Sequence, residues 1–136
     1  MIDRNSLNAF AIRYAQAWCS QDAASVAAFF SEQGSLSVNG APPAVGRSEI
    51  ADLAAEFMTA FPDLKVTLDG VDFGELESVF RWTLAGANTG PGGTGKRVRI
   101  SGFEQWRFGA DERIAESKGH FDAAEYARQL REGVDD

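Results

Sequence analysis

The sequence predicts a single α+β domain in which helices come first and an antiparallel sheet follows. Three observations carry that prediction. Apolar residues recur at helical spacing before Pro62. They recur at every second residue after it. The 136 residues, 44% hydrophobic and 11% aromatic, fit one core that spans the chain from 1 to 136.

The elements follow in order. Leu7, Phe10, Ala11, Tyr14, Ala17 and Trp18 form the apolar stripe of a first helix over about Arg4 to Cys19. SQD at Ser20 to Asp22 marks a break and a new cap. A short second helix then buries Val26, Phe29 and Phe30 and ends at Gly34, and GSLSVNG forms a short strand and turn. APPAVG is expected to be a loop, because its prolines and glycine sustain neither a ladder nor a helix. Ser48 is the expected cap of a third helix, with Ile50, Leu53, Ala54, Phe57 and Phe61 as its stripe and Pro62 as its stop.

Beyond Pro62, four strands are expected in KVTLDGVDF, SVFRWTLAGAN, KRVRISGFEQWRF and RIAESKGHF, joined by turns. AAEYARQLREG is a terminal helix with Tyr126 and Leu130 one turn apart. A curved sheet wrapped around the first helix would bury the helix stripes on one face. Phe80 and Trp82 on one side of a strand and Val79 on the other predict a second apolar face, and hence a homodimer through the sheet.

The net charge is −7, from 20 acids and 13 bases. With no basic block to neutralise phosphates, this excludes nucleic acid as an expected partner. No apolar run reaches the length of a membrane span, and Asp3, Arg4 and Arg13 near the start predict no cleavable leader. The one cysteine, Cys19, is expected to be a small, partly buried helix residue; it can build neither a disulfide framework nor a thiolate metal site. A soluble, reduced, cytoplasmic protein is the expectation.

Two places carry candidate chemistry. In KRVRISGFEQWRF, the set Val98, Ile100, Gly102, Glu104, Trp106 and Phe108 faces the interior, so Glu104 is a carboxyl on an apolar face. Desolvation should raise its pKa unless a partner charges it. It then either donates a hydrogen bond to a substrate oxygen or is a structural acid tied to an arginine or a helix end.

The second place is SKGHFDAAEY, which holds the only histidine. If the last strand continues through Asp122, then Glu116, Lys118, His120 and Asp122 share a face, and His120 and Asp122 form an acid–base pair at the rim of an apolar pocket. The rival reading is structural. Asp122 is followed three residues later by Glu125, a capping-box spacing at the start of the terminal helix. One histidine among scattered acids is a weak ligand set, so no metal or other cofactor is expected. NTGPGGTGKR lacks the order of a phosphate-binding loop and reads as a hairpin loop near the cavity mouth. Tyr14 and Trp18 are core positions, and the tyrosine hydroxyl is a possible donor to a carbonyl.

YAQAWCSQDAASVAAFF, the stretch from GSLSVNG through AVGRSEI to FPDL, ISGFEQW and RIAESKGHFD together resemble the SnoaL-like polyketide cyclases of the nuclear transport factor 2-like superfamily. The resemblance covers about Asn5 to Leu130. It implies a cone-shaped, cystatin-like α+β barrel around a deep apolar pocket, commonly in a homodimer. It further implies an aspartate late in the last strand as the acid–base of an aldol ring closure, which by position is Asp122, beside His120. Tyr14 and Glu104 are similar in place to residues of the steroid isomerases, whereas the base position of that branch falls near Asn39, an amide. The aspartate–arginine–aspartate set of an epoxide-hydrolase branch is not matched, because Arg81 lies on the strand face opposite Phe80 and Trp82. The resemblance thus implies a cofactor-independent enzyme for a small hydrophobic carbonyl compound, or a binding protein for a lipophilic ligand. Tyr14, Trp18, Asn39, Phe57, Trp82, Glu104 and Trp106 are the expected pocket residues.

Overall fold

The computed structural model describes residues 2–135. Asp3 opens the first helix, α1 (Arg4–Cys19), by accepting the Ser6 N–H at 2.8 Å. Asp22 caps α2 (Ala23–Ala27) in the same way. This second helix is shorter than the sequence suggests: the chain is extended from Phe30, and β1 runs Phe30–Val38. Gly34 does not end a helix. It lies inside β1, where a Cβ would come within 2.7 Å of the Ile114 carbonyl oxygen, and the register shifts beside it. Only glycine permits that close approach of two backbones.

Two further local expectations are corrected. Within APPAVG, Ala44–Val45 pairs with β1 as a two-residue strand, β2. The third helix, α3 (Arg47–Ala60), starts after Gly46 at φ 85°, and Ser48 lies inside it without capping. Glu49 supplies the missing acceptor by reaching back to the Val45 N–H at 2.9 Å.

The strands β3 (Lys65–Asp72), β4 (Ser78–Ala87), β5 (Arg97–Phe108) and β6 (Ile114–Phe121) form the expected meander, and α4 (Ala123–Glu132) ends the chain. The sheet is a curved, open, six-stranded one in the order β2-β1-β6-β5-β4-β3, with β1 parallel to β6. Helices α1 and α3 lie on its inner face, so the core is the space between them and the sheet.

The outer face is not the apolar surface that the strand pattern suggested. Arg81 pairs with Asp72 at 3.1 Å, Arg107 with Glu116 at 3.7 Å, and Thr83 bonds Asp69 and Ser101. Phe103 is the exposed ring on this face. The expectation counted hydrophobic letters, whereas Val79 and Ala85 are interspersed among paired polar residues. Cys19 is also exposed rather than partly buried. Its sulfur accepts the Val66 N–H and donates to the Val66 carbonyl, occupying backbone groups of edge strand β3. The β4–β5 loop is a hairpin loop as expected, but it docks on α3: Asn88 donates to the Ala60 carbonyl and accepts from Thr94.

Candidate active site

The interior face of β5 places Glu104 between Gly102 and Trp106. Glu104 is 7% exposed and has no cation beside it. Instead, three neutral donors converge on its Oε1. Tyr14 from α1 donates its hydroxyl at 2.9 Å, Trp106 its indole N–H at 3.0 Å, and Ser117 from β6 its hydroxyl at 2.7 Å. The second oxygen, Oε2, has only the long arm of the Tyr14 bond, at 3.3 Å. Burial pushes the carboxyl pKa above its ordinary value, and the bonds from Ser117, Trp106 and Tyr14 oppose that rise without cancelling it. Burial, then the nearby charge of Glu104, holds the Tyr14 phenol well above its ordinary value. A proton on Oε2 leaves the three shorter bonds to Oε1 in place, and only the 3.3 Å arm of the Tyr14 bond shares its oxygen.

Glu104 lines a narrow, apolar cavity of about 60 Å³ between the helices and the sheet. Trp18, Phe57, Phe80, Trp82, Phe121 and Tyr126 are its aromatic walls. Behind Glu104, Tyr14 and Trp106 are fully buried, and Trp106 stacks on Phe80 at 4.9 Å. Four of the expected pocket residues, Trp18, Phe57, Trp82 and Glu104, are therefore on the wall. Tyr14 and Trp106 are behind it, as supports of the acid.

The seventh, Asn39, and the expected acid–base pair, Asp122 and His120, are elsewhere. Asp122 is exposed and caps α4, its Oδ1 accepting the Glu125 N–H at 3.0 Å. The imidazole of His120 stacks on Phe103 and pairs through Nε2 with Gln105 Oε1 at 2.9 Å. Asn39, at φ 52°, accepts the Phe121 N–H in the turn after β1. All three border a shallow depression on the outside of the sheet rather than the cavity. Glu116, Lys118 and His120 do share a face, as expected, but it is the outer one. Ile114 pairs with Phe108 and Glu116 with Arg107, so Ala115 is an extra residue that reverses the alternation of β6. Ser117, Gly119 and Phe121 consequently point inward.

Sequence reasoning put Gly102 on the interior face but missed Ser117, the shortest bond to Glu104, and the inward Gly119. Gly119 lies opposite Glu104. A Cβ on Gly102 would come within 2.6 Å of Trp82 Cζ2, so the indole occupies side-chain space that this glycine leaves. The glycine inside an otherwise apolar strand face was the available signal.

Among the described residues, no three His, Cys, Asp or Glu side chains gather to hold a metal, and no helix is long and apolar enough to cross a membrane. Arg81, paired with Asp72 outside the sheet, is remote from any aspartate–arginine–aspartate arrangement in the cavity.

Solved structures share this architecture. A protein of ketosteroid isomerase-like fold from Catenulispora acidiphila, in complex with trimethylamine, superposes with a TM-score of 0.79 at 14% identity, over 89% of this chain and 91% of that one. The epoxide hydrolase/cyclase-like enzyme SalBIII, connected with pyran ring formation in the polyether salinomycin, gives 0.78 at 13% identity, over 92% and 97%. A phenazine biosynthesis-related protein from Pseudomonas aeruginosa gives 0.74 at 15% identity, over 97% and 92%. At these identities the likeness concerns the fold. No curated protein matches the sequence. The model of the SnoaL-like polyketide cyclases matches residues 9–130, which is nearly the whole chain, and the protein belongs to that family.

Proposed function

We propose that the protein is a cofactor-independent acid–base enzyme of the cyclase type, acting on a small hydrophobic carbonyl compound, with Glu104 as the proton-moving group. The observation that carries this reading is the asymmetry of the carboxyl. Oε1 is held by three donors, and Oε2, with only the 3.3 Å arm of the Tyr14 bond, is left to carry a proton at the wall of an apolar cavity. As a carbon–carbon bond forms at a substrate carbonyl carbon, the π electrons move to oxygen and Oε2–H gives that oxygen its proton. The nucleophile is the substrate's enol: its double-bond electrons make the new bond, its hydroxyl oxygen becomes a carbonyl, and the carboxylate left behind takes that hydroxyl proton, which restores the acid. Tyr14, Trp106 and Ser117 spread the transient charge, and the dry surroundings strengthen each of their bonds. Such proton transfer contributes about 10²–10⁴-fold to rate.

The test needs no knowledge of the natural substrate. The native protein should accelerate exchange of the α-hydrogens of 1-tetralone in D₂O, followed by NMR, and Glu104→Gln should not. Equal exchange in both proteins would remove Glu104 as the proton carrier.

One observation favours the rival reading, a binding protein for a lipophilic ligand. Glu104 is the only carboxyl or imidazole on the described cavity wall, so no second group of ordinary basicity shares the work. Binding of 1-tetralone without exchange would select that reading. The proposal also retains a cytoplasmic homodimer; sedimentation velocity tests the latter.

A further inference from the structure

The cavity beside Glu104 holds about 60 Å³. A protein cavity that admits benzene measures about 150 Å³. A ring compound therefore enters only when a side chain of the wall moves away. Interiors are close-packed, so the side chain that moves is one with a path to solvent. Much of the wall is core: Trp18, Leu36, Phe80 and Trp82 are at most 9% exposed. Five wall side chains, Val38, Leu53, Phe57, Phe121 and Tyr126, are only partly buried.

Of these five, Tyr126 leaves at least cost. Val38 and Leu53 free too little space for a ring. Phe57 and Phe121 are wholly apolar and pack on the buried indoles of Trp18 and Trp82, at 6.1 and 6.0 Å. Tyr126 rests against the rings of Phe61 and Phe121, at 6.5 and 5.4 Å. Its hydroxyl has no hydrogen bond to a described residue, and burial pushes the phenol pKa up. Turning outward gives that hydroxyl to water and ends its desolvation. A tyrosine on a helix has two open χ1 wells, so the ring can turn while the helix stays. The rest of α4 is fixed. β6 pairs with β5 from Gly102 onward. Before that point, the Gln129 side chain accepts the Arg99 N–H at 2.7 Å and Val134 donates to the Arg97 carbonyl at 3.1 Å.

We infer that Tyr126 is the movable wall of the cavity and the residue that sets the size of ligand the site accepts. Its ring fills the outer end of the cavity in this conformation and turns out as a ring compound enters. The vacated space then belongs to the ligand. The ligand class is an apolar body one ring larger than the cavity holds as it stands, which fits a bicyclic compound with its carbonyl at Glu104. The inference rests on the proposed function only in taking this cavity as the ligand site.

The experiment reads the ring directly. The chain has two tyrosines, Tyr14 and Tyr126, so protein made with isotope-labelled tyrosine gives two sets of ring signals in NMR, assigned with Tyr126→Phe. Exposure is read from the broadening caused by a soluble nitroxide. Tetralin is the probe, because it has no carbonyl and its binding does not depend on the chemistry at Glu104. Saturating tetralin should increase the broadening of Tyr126 and leave that of Tyr14, a fully buried ring, unchanged. Tyr126→Ala removes the ring that has to be exposed, so it should bind tetralin about five-fold more tightly, the worth of exposing half a side chain of this size. Binding that leaves the Tyr126 broadening unchanged or lowers it overturns the inference, as does an alanine variant that binds no tighter. Tetralin that binds neither protein, or the alanine variant alone, overturns it too, since the ring is then a fixed wall or the cavity takes no ring compound. Equal α-hydrogen exchange of 1-tetralone by the native and Glu104→Gln proteins would instead remove the role of Glu104 and leave the movable wall standing.

Discussion

Replacing Glu104 by glutamine tests the protonation of the site through stability alone. Glutamine keeps an oxygen for the Tyr14, Trp106 and Ser117 donors and puts an amide where Oε2 stood. If the native group is a neutral acid, the exchange nearly conserves shape and bonding, at a cost of about 1 kcal/mol or less. Leucine at the same place would strand all three donors, each at about 1–3 kcal/mol, so glutamine is the informative change. The pH dependence then isolates the proton. The folded-state pKa of Glu104 is raised above its ordinary 4.5. Between those two pKa values, the folded protein binds one more proton than the unfolded chain. Its contribution is complete below pH 4.5 and is lost as pH rises through the folded pKa, at about 1 kcal/mol per pH unit. The assay is urea unfolding of both proteins from pH 4 to 8, with tryptophan fluorescence as the signal. The stability difference should move steadily in favour of the glutamine protein above pH 4.5 and then level off. A difference independent of pH over that range would show that Glu104 titrates normally, and the reasoning about a protonated acid would be refuted.

The remaining predictions concern parts around that acid. Asp122→Ala should cost about 0.5–2 kcal/mol of stability through the lost cap, whereas Asp122→Asn should keep both the cap and tetralone exchange; abolished exchange in the asparagine variant would restore Asp122 as a catalyst. Gly102→Ala should destabilise by about 1–3 kcal/mol by overpacking and weaken probe binding, because its Cβ meets Trp82; unchanged melting would contradict the packing. Glu125, bonded to Arg128 and Gln129, has its pKa lowered to about 2. Its contribution is present above about pH 4.5 and is lost as pH falls toward 2, so Glu125→Gln should flatten the acid limb of the unfolding curve in that window.

Much of the architecture was written in local patterns. The boundaries of α1 matched its stripe to the residue, because a helix face repeats within a few residues and needs no knowledge of its partner. The interior parity of β5 followed from its own alternation, and with it the burial of Glu104. The family was legible for the same reason, since AVGRSEI, FPDL and ISGFEQW are contiguous. Errors arose where pairing overrode local preference. Phe30 joined β1 instead of α2, and Ala44–Val45 became a strand because β1 offered an edge.

The site divides along the same line. Sequence alone determined that an acid sits on an apolar strand face and that Tyr14 lies on the apolar stripe of a helix; that the two meet is tertiary. It also contained the D-x-x-E spacing that makes Asp122 a cap. Tertiary structure decided which groups complete the acid. The Ala115 bulge turns Ser117 inward and His120 outward, and one extra residue in a strand exchanges every later side chain between faces. That exchange depends on how β6 registers against β5, a contact between distant residues that no short stretch of either strand encodes.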